Sequence, residues 1–130
     1  MRPEAPLHRP VTPEFTENNP LREVLPVLEI GGETLSQSLA IIEYIEEKYS
    51  ELRLLPQNIV LRAKVRAIAQ LIASGIQPRR LEKQCCKTAG KYCVGDSITM
   101  ADVCLVPQVD TVKDIKLDMT PYPTIVRINN

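Results

Sequence analysis

The chain has 130 residues, 44% hydrophobic and 25% charged, and its sixteen basic residues balance sixteen acidic ones. This length accommodates one ordinary domain or two very small ones. A neutral chain exerts no overall electrostatic pull on nucleic acid or anionic membranes, and no apolar run approaches the roughly 18 residues that span a bilayer. The N-terminus lacks the hydrophobic core of a secretory signal. We therefore expect a cytosolic protein with neither nucleic acid nor membrane as a partner.

The residues that could bind a transition metal are four cysteines and one histidine, namely Cys85, Cys86, Cys93, Cys104 and His8. The thiols lack the spacing of a zinc knuckle, and the histidine lies in a Pro-rich leader. A disulfide framework is unexpected in a chain without an export signal. The sequence therefore predicts reduced, partly buried thiols and no metal site.

A β-hairpin is predicted where the Pro-rich leader gives way to a patterned chain. Two short β-prone runs, 27–30 and 33–35, flank Gly31-Gly32. Two glycines favour a two-residue hairpin turn because both can take a positive φ. Pro26 precedes the first run and donates no ladder hydrogen bond, so this strand is expected to lie at an edge or to begin at a special peptide bond.

Helical periodicity dominates the rest of the chain. Apolar residues at helical spacing predict helices over about 38–49 and 60–75, and "RRLEKQCCKTAG" predicts a short third helix. Its basic residues indicate a solvated face rather than a nucleic-acid patch. A fourth helix follows Thr99, which forms a capping box with Asp102, and "TPYP" leads into a short last helix. The predicted fold class is α+β, mostly helical.

The corner "LSQSLAIIEYI" joins the hairpin to the first helix and permits two interpretations. Ser38 is well placed to cap the helix, and serine caps are common. An exposed Gln37-Ser38 pair at a helix N-terminus also suits an anion, since free amides and the helix dipole favour negative charge there. The residue types alone favour the plain cap and leave the anion site open.

Several longer segments of the sequence resemble one protein family. The segments "NPLREVLPVLEIGGETLSQSLAIIEYIEE", "LLPQN", "LIASGIQP", "TAGKYCVGDSITMADVCLVPQV" and "TPYPTI" closely resemble zeta-class glutathione transferases, the maleylacetoacetate isomerases. The resemblance implies a remnant of the thioredoxin-like glutathione-binding domain over 19–52, reduced to a β-hairpin plus helix. An incomplete, shortened α-helical domain follows over 53–130, and 1–18 is a non-matching leader.

The resemblance also implies an activity. The class uses glutathione for cis–trans isomerisation of maleylacetoacetate in tyrosine and phenylalanine breakdown, and it processes small α-halo acids. Its members are usually dimers. The implied partners are therefore glutathione, a small acidic or α-halo acid substrate, and a second copy or a full-length relative.

Position by position, the resemblance identifies candidate glutathione-binding residues. Gln37 and Ser38 match the pair that holds the γ-glutamyl carboxylate of glutathione. Pro26 matches the cis-proline, whose preceding residue, here Leu25, offers its backbone to the cysteinyl part. Gln77 matches a glutamine near glutathione at the end of the domain-linking helix. In "VLP" this chain has one residue more than the class pattern.

Three departures from the class affect catalysis. No Ser-Ser-Cys motif, which supplies the thiolate-stabilising serine, precedes Asn19. A block is missing between Pro78 and Arg79, and the last family helices are missing beyond "PYPTI". Asp114 stands where the class has a substrate-pairing arginine. We therefore predict no catalytic residue, and three functions stay open: an isomerase or transferase with impaired catalysis, a non-catalytic glutathione-binding or interaction module, and a truncated product without independent activity.

Overall fold

The computed structural model describes residues 26–75 and 78–130. They fall into two compact units that divide between Ile41 and Ile42, here named the hairpin unit and the helical unit. The elements in chain order are β1 (Val27–Ile30), β2 (Glu33–Ser36), α1 (Ser38–Lys48), α2 (Ile59–Ala73), α3 (Pro78–Thr88), α4 (Met100–Asp114) and α5 (Pro123–Ile128). The predicted fold class, α+β and mostly helical, is confirmed.

The hairpin unit contains the predicted two-stranded antiparallel sheet. Val27 lies opposite Ser36, and Ile30 lies opposite Glu33. Gly31 has φ +59° and Gly32 has φ +82°. Both angles lie in the left-handed region that a tight two-residue hairpin turn requires. The turn therefore fixes the register of the two strands, and α1 begins shortly after the end of β2.

The helical unit has its core between α2 and α4, which pack against each other. The buried stripe of α2 follows three- and four-residue spacing, as expected for one apolar helix face, and consists of Val65, Ile68, Ala69 and Ile72. From α4 the buried apolar side chains are Met100, Ala101, Leu105, Val109 and Val112. None of the helices within 26–75 and 78–130 has the length and apolar character needed to cross a membrane.

Glu46 of α1 fixes the connection that follows its helix. Its carboxylate accepts hydrogen bonds from the amides of Leu54 and Leu55 at 2.7 and 3.0 Å. The carbonyl oxygen of Leu54 in turn accepts the amide of Met100 at 3.0 Å. Leu55 is thereby held in the core, where 4% of its surface is exposed. One carboxylate thus supplies the polar partners that this loop needs to enter an apolar interior.

Asp102 fixes the start of α4. The predicted capping box with Thr99 is present. One carboxylate oxygen of Asp102 accepts the amide and the hydroxyl of Thr99 at 2.9 and 3.0 Å. The other accepts the amide of Cys93 at 2.8 Å, which also ties the preceding loop to the helix. Both Thr99 and Asp102 are buried.

Candidate functional site

The candidate site is the corner between β2 and α1, where Gln37 and Ser38 are both exposed. Helix α1 begins at Ser38, and the carbonyl oxygen of Gln37 accepts the first helical hydrogen bond, from the amide of Ile41 at 3.0 Å. Gln37 is therefore the N-cap residue, and Ser38 occupies the first helical position. The structure thus places the cap one residue earlier than the sequence predicted.

Gln37 has a φ of +75°, in the left-handed region. An N-cap residue ordinarily has an extended backbone, which lets its side chain accept an amide of the first turn. The left-handed conformation costs a residue with a side chain about 1–2 kcal/mol. Residues held in this way cluster at ligand-binding sites, where the surrounding fold enforces them. Because residue 37 is not a glycine, its residue type does not predict this conformation.

The corner presents donors to solvent. The amides of Ser38, Leu39 and Ala40 occupy the first turn of α1, where no carbonyl of the same helix can reach them. The Ser38 hydroxyl stands beside them, and the positive end of the helix dipole adds to the attraction for negative charge. This arrangement can hold a carboxylate, but neither the Gln37 amide nor the Ser38 hydroxyl can act as a general acid or base at neutral pH.

Replacing Gln37 with glycine should raise the stability of the hairpin unit by about 0.5–1 kcal/mol, because glycine adopts a positive φ without a steric cost. Thermal unfolding should show the gain as a higher midpoint. Gln37→Ala is the matched control, since it removes the same side chain but keeps the strained backbone. Equal midpoints for the two variants would show that the conformation stores no strain.

Two other predicted contacts, Leu25 and Gln77, lie outside the described residues and stay predictions. Pro26 is described, exposed, and immediately precedes β1. Asp114, predicted to stand in place of a substrate-pairing arginine, is exposed at the last residue of α4. Gln37 and Ser38, neighbours in the chain, are both described and exposed, and as glutathione contacts they too stay predictions.

The cysteines are free thiols in surroundings that differ widely: Cys85 and Cys93 are buried, Cys104 is half-buried and Cys86 is exposed. The hydrogen bond with the Cys85 thiol, burial and the nearby Asp102 carboxylate raise the pKa of Cys93. Burial raises the pKa of Cys104. Thiols with raised pKa values are poor nucleophiles at neutral pH. Within the described part of the chain, no group of three His, Cys, Asp or Glu side chains is arranged to hold a metal ion.

Family models match both halves of the chain. The N-terminal domain of glutathione S-transferases matches residues 3–47, a range that includes most of the stretch 1–18 predicted to be a non-matching leader. The C-terminal domain matches residues 78–128. The chain is 48% identical to maleylacetoacetate isomerase of Mus musculus over 145 residues, which covers 91% of this chain and 67% of that protein. Because 145 aligned positions outnumber the 130 residues of the chain, the matched stretch of the mouse protein contains residues with no counterpart here.

Solved structures of similar proteins agree with this result. Maleylacetoacetate isomerase from Methylobacterium extorquens AM1, with bound malonate and glutathione, has a TM-score of 0.82 at 28% identity and covers 91% of this chain and 72% of its own. The isomerase from Anaeromyxobacter dehalogenans 2CP-1, with glutathione in its active site, has a TM-score of 0.76 at 33% identity, with 89% and 69% covered. The chain spans between 58% and 67% of the length of the first curated relatives.

Proposed function

Because the chain belongs to the family of zeta-class glutathione transferases and maleylacetoacetate isomerases, we propose that it binds glutathione at the corner formed by Gln37 and Ser38. The observation that carries the proposal is the left-handed Gln37, which places Ser38 at the exposed start of α1, where its amide has no acceptor within the helix. The γ-glutamyl carboxylate would accept hydrogen bonds from the amide and the hydroxyl of Ser38. Hydrogen bonds to a charged group are about twice as strong as neutral ones.

The reaction we propose is glutathione-dependent cis–trans isomerisation of maleylacetoacetate, or a related glutathione transfer, with impaired catalysis. The corner binds and orients glutathione by its γ-glutamyl end, so its role is positioning. The 130 residues contain no Ser-Ser-Cys motif, and we assign no residue to activate the thiol. This absence favours a second candidate function, a glutathione-binding module without catalysis.

Calorimetric titration of the purified chain with glutathione tests glutathione binding, which both candidate functions require. Ser38→Ala should weaken binding about ten- to hundred-fold, since it removes one hydrogen bond to a charged group. Ser74→Ala is the matched control, because Ser74 is an exposed serine at the end of another helix. Cysteinylglycine, which lacks the γ-glutamyl group, should bind equally weakly to the wild type and to Ser38→Ala. Unchanged affinity in Ser38→Ala would refute the proposed site.

An isomerisation assay separates the two candidate functions. A folded sample that binds glutathione and converts maleylacetoacetate above the uncatalysed rate supports the enzyme. Binding without conversion supports the non-catalytic module. The exposed Asp114 would repel an acidic substrate brought near it, so a neutral analogue is a useful second substrate.

We further propose self-association in the cytosol, with a second copy of the chain or with a full-length relative. Dimers are usual in the family, and the free thiols suit a reducing compartment. Light scattering across a concentration series measures the mass of the particle. A constant monomeric mass, both alone and in a mixture with the relative, would contradict this proposal.

A further inference from the structure

The N-terminus of α5 is held by a side chain from another helix. Helix α5 has six residues, far fewer than the roughly 12–15 that an isolated helix needs. Of its first-turn amides, Pro123 has none, and Val126 donates to the residue before the helix. The remaining two, Thr124 and Ile125, donate to the carboxylate of Glu82 at 2.9 and 3.0 Å. Glu82 of α3 therefore supplies both acceptors that this helix start requires.

The carboxylate of Glu82 is fully used in its contact with α5. It is buried, and each of its oxygens accepts one amide of α5. Burial acts to raise its pKa, but hydrogen bonds from the side chain of Thr124, the two amides and the Cys86 thiol outweigh it, and the pKa is lowered. Cys86 lies 3.4 Å from Glu82 Oε1 and 3.0 Å from Thr124 Oγ1. The ionised carboxylate is thus the form that matches its surroundings.

An apolar groove lies beneath α5. Ile125, with 2% of its surface exposed, forms one wall of it. The other walls include Ile72 of α2, Leu81 of α3 and Val112 of α4. Because the amide of Ile125 is one of the two that Glu82 holds, loss of the carboxylate contact frees the residue that forms this wall.

We propose that α5 is a detachable lid over this groove and that Glu82 is its latch. The lid is too short to persist alone, and its start depends on one carboxylate. Its opening therefore costs less free energy than unfolding of the α2–α4 core, as is typical of locally unfolding segments. Opening removes the Ile125 wall and exposes the apolar faces of α2, α3 and α4.

Native-state hydrogen exchange of the wild-type chain tests the lid. The amides of residues 125–129 should exchange at least tenfold faster than those in the middle of α4. Their exchange should depend little on low denaturant concentrations, because a local opening exposes little surface. If the amides of α5 and α4 exchange together with one strong denaturant dependence, α5 opens only on global unfolding and the proposal is wrong.

Glu82→Gln tests the latch. The glutamine side chain has one acceptor oxygen, so one of the two α5 amides loses its partner. Exchange in α5 should accelerate about ten- to hundred-fold while α4 changes little. Cys86→Ser, which keeps a donor beside Glu82, is the matched control and should exchange like the wild type. If amide exchange accelerates equally in α4 and α5, or in neither, Glu82 is not the latch. If Glu82→Gln fails to fold, the exchange of the wild-type chain tests the proposal.

Discussion

Replacing Asp102 with alanine should lower the free energy of unfolding of the helical unit by about 3–5 kcal/mol. Asp102 accepts the amides of Thr99 and Cys93 and the hydroxyl of Thr99, all at 2.8–3.0 Å and all buried. Alanine leaves these donors without their acceptor, and water cannot replace it in a buried position. A loss of this size is a large part of the roughly 5–15 kcal/mol that stabilises an ordinary domain.

Denaturant unfolding followed by circular dichroism measures this loss. Asp110→Ala is the matched control, since Asp110 is exposed on the same helix and its contact with Lys113 is a 3.8 Å surface ion pair. Exposed pairs of this kind contribute about 0–1 kcal/mol. If Asp102→Ala costs no more than Asp110→Ala, the carboxylate does not hold the loop and the helix together.

The features predicted from the sequence are those specified by neighbouring residues. Gly31 and Gly32 favour the hairpin turn by their own backbone freedom, and the structure has that turn. Thr99 and Asp102 are three residues apart, so one helical turn brings them together, and the capping box is present. The apolar spacing of α2 predicts one buried helix face, and Val65, Ile68, Ala69 and Ile72 are buried on it.

The features that escaped prediction depend on distant residues or act against local preference. Glu82 contacts amides 42 and 43 positions later, and in its own helix a glutamate indicates only a solvated face. At the candidate site, family resemblance predicted the pair Gln37-Ser38. Residue preference predicted Ser38 as the N-cap, because serine is the better capping residue, whereas Gln37 is the N-cap in the structure. The left-handed backbone of Gln37 opposes its own steric preference, so no local pattern could reveal it.

Replacing Gly90 with alanine should lower the stability of the helical unit by about 3 kcal/mol, near the upper end of the usual cost of overpacking. A Cβ at this position would overlap Asp96 Oδ1 and lie 2.8 Å from the carbonyl oxygen of Gly95. The aspartate cannot move away freely, since the same oxygen accepts the amide of Lys91 at 2.8 Å. The carbonyl oxygen of Gly90 also accepts the guanidinium of Arg127 at 2.8 Å, so displacement of this backbone would disturb α5 as well.

Gly95→Ala is the matched control for this substitution. Gly95 lies in the same loop and has φ +69°, but a Cβ there would meet nothing within 4 Å. Alanine at Gly95 therefore introduces backbone strain of about 1–2 kcal/mol without a clash. Denaturant unfolding should rank Gly90→Ala as the more destabilising variant, although its glycine has no positive φ. The reverse order would mean that backbone conformation, rather than the close approach of Asp96 and Gly95, requires the glycine in this loop.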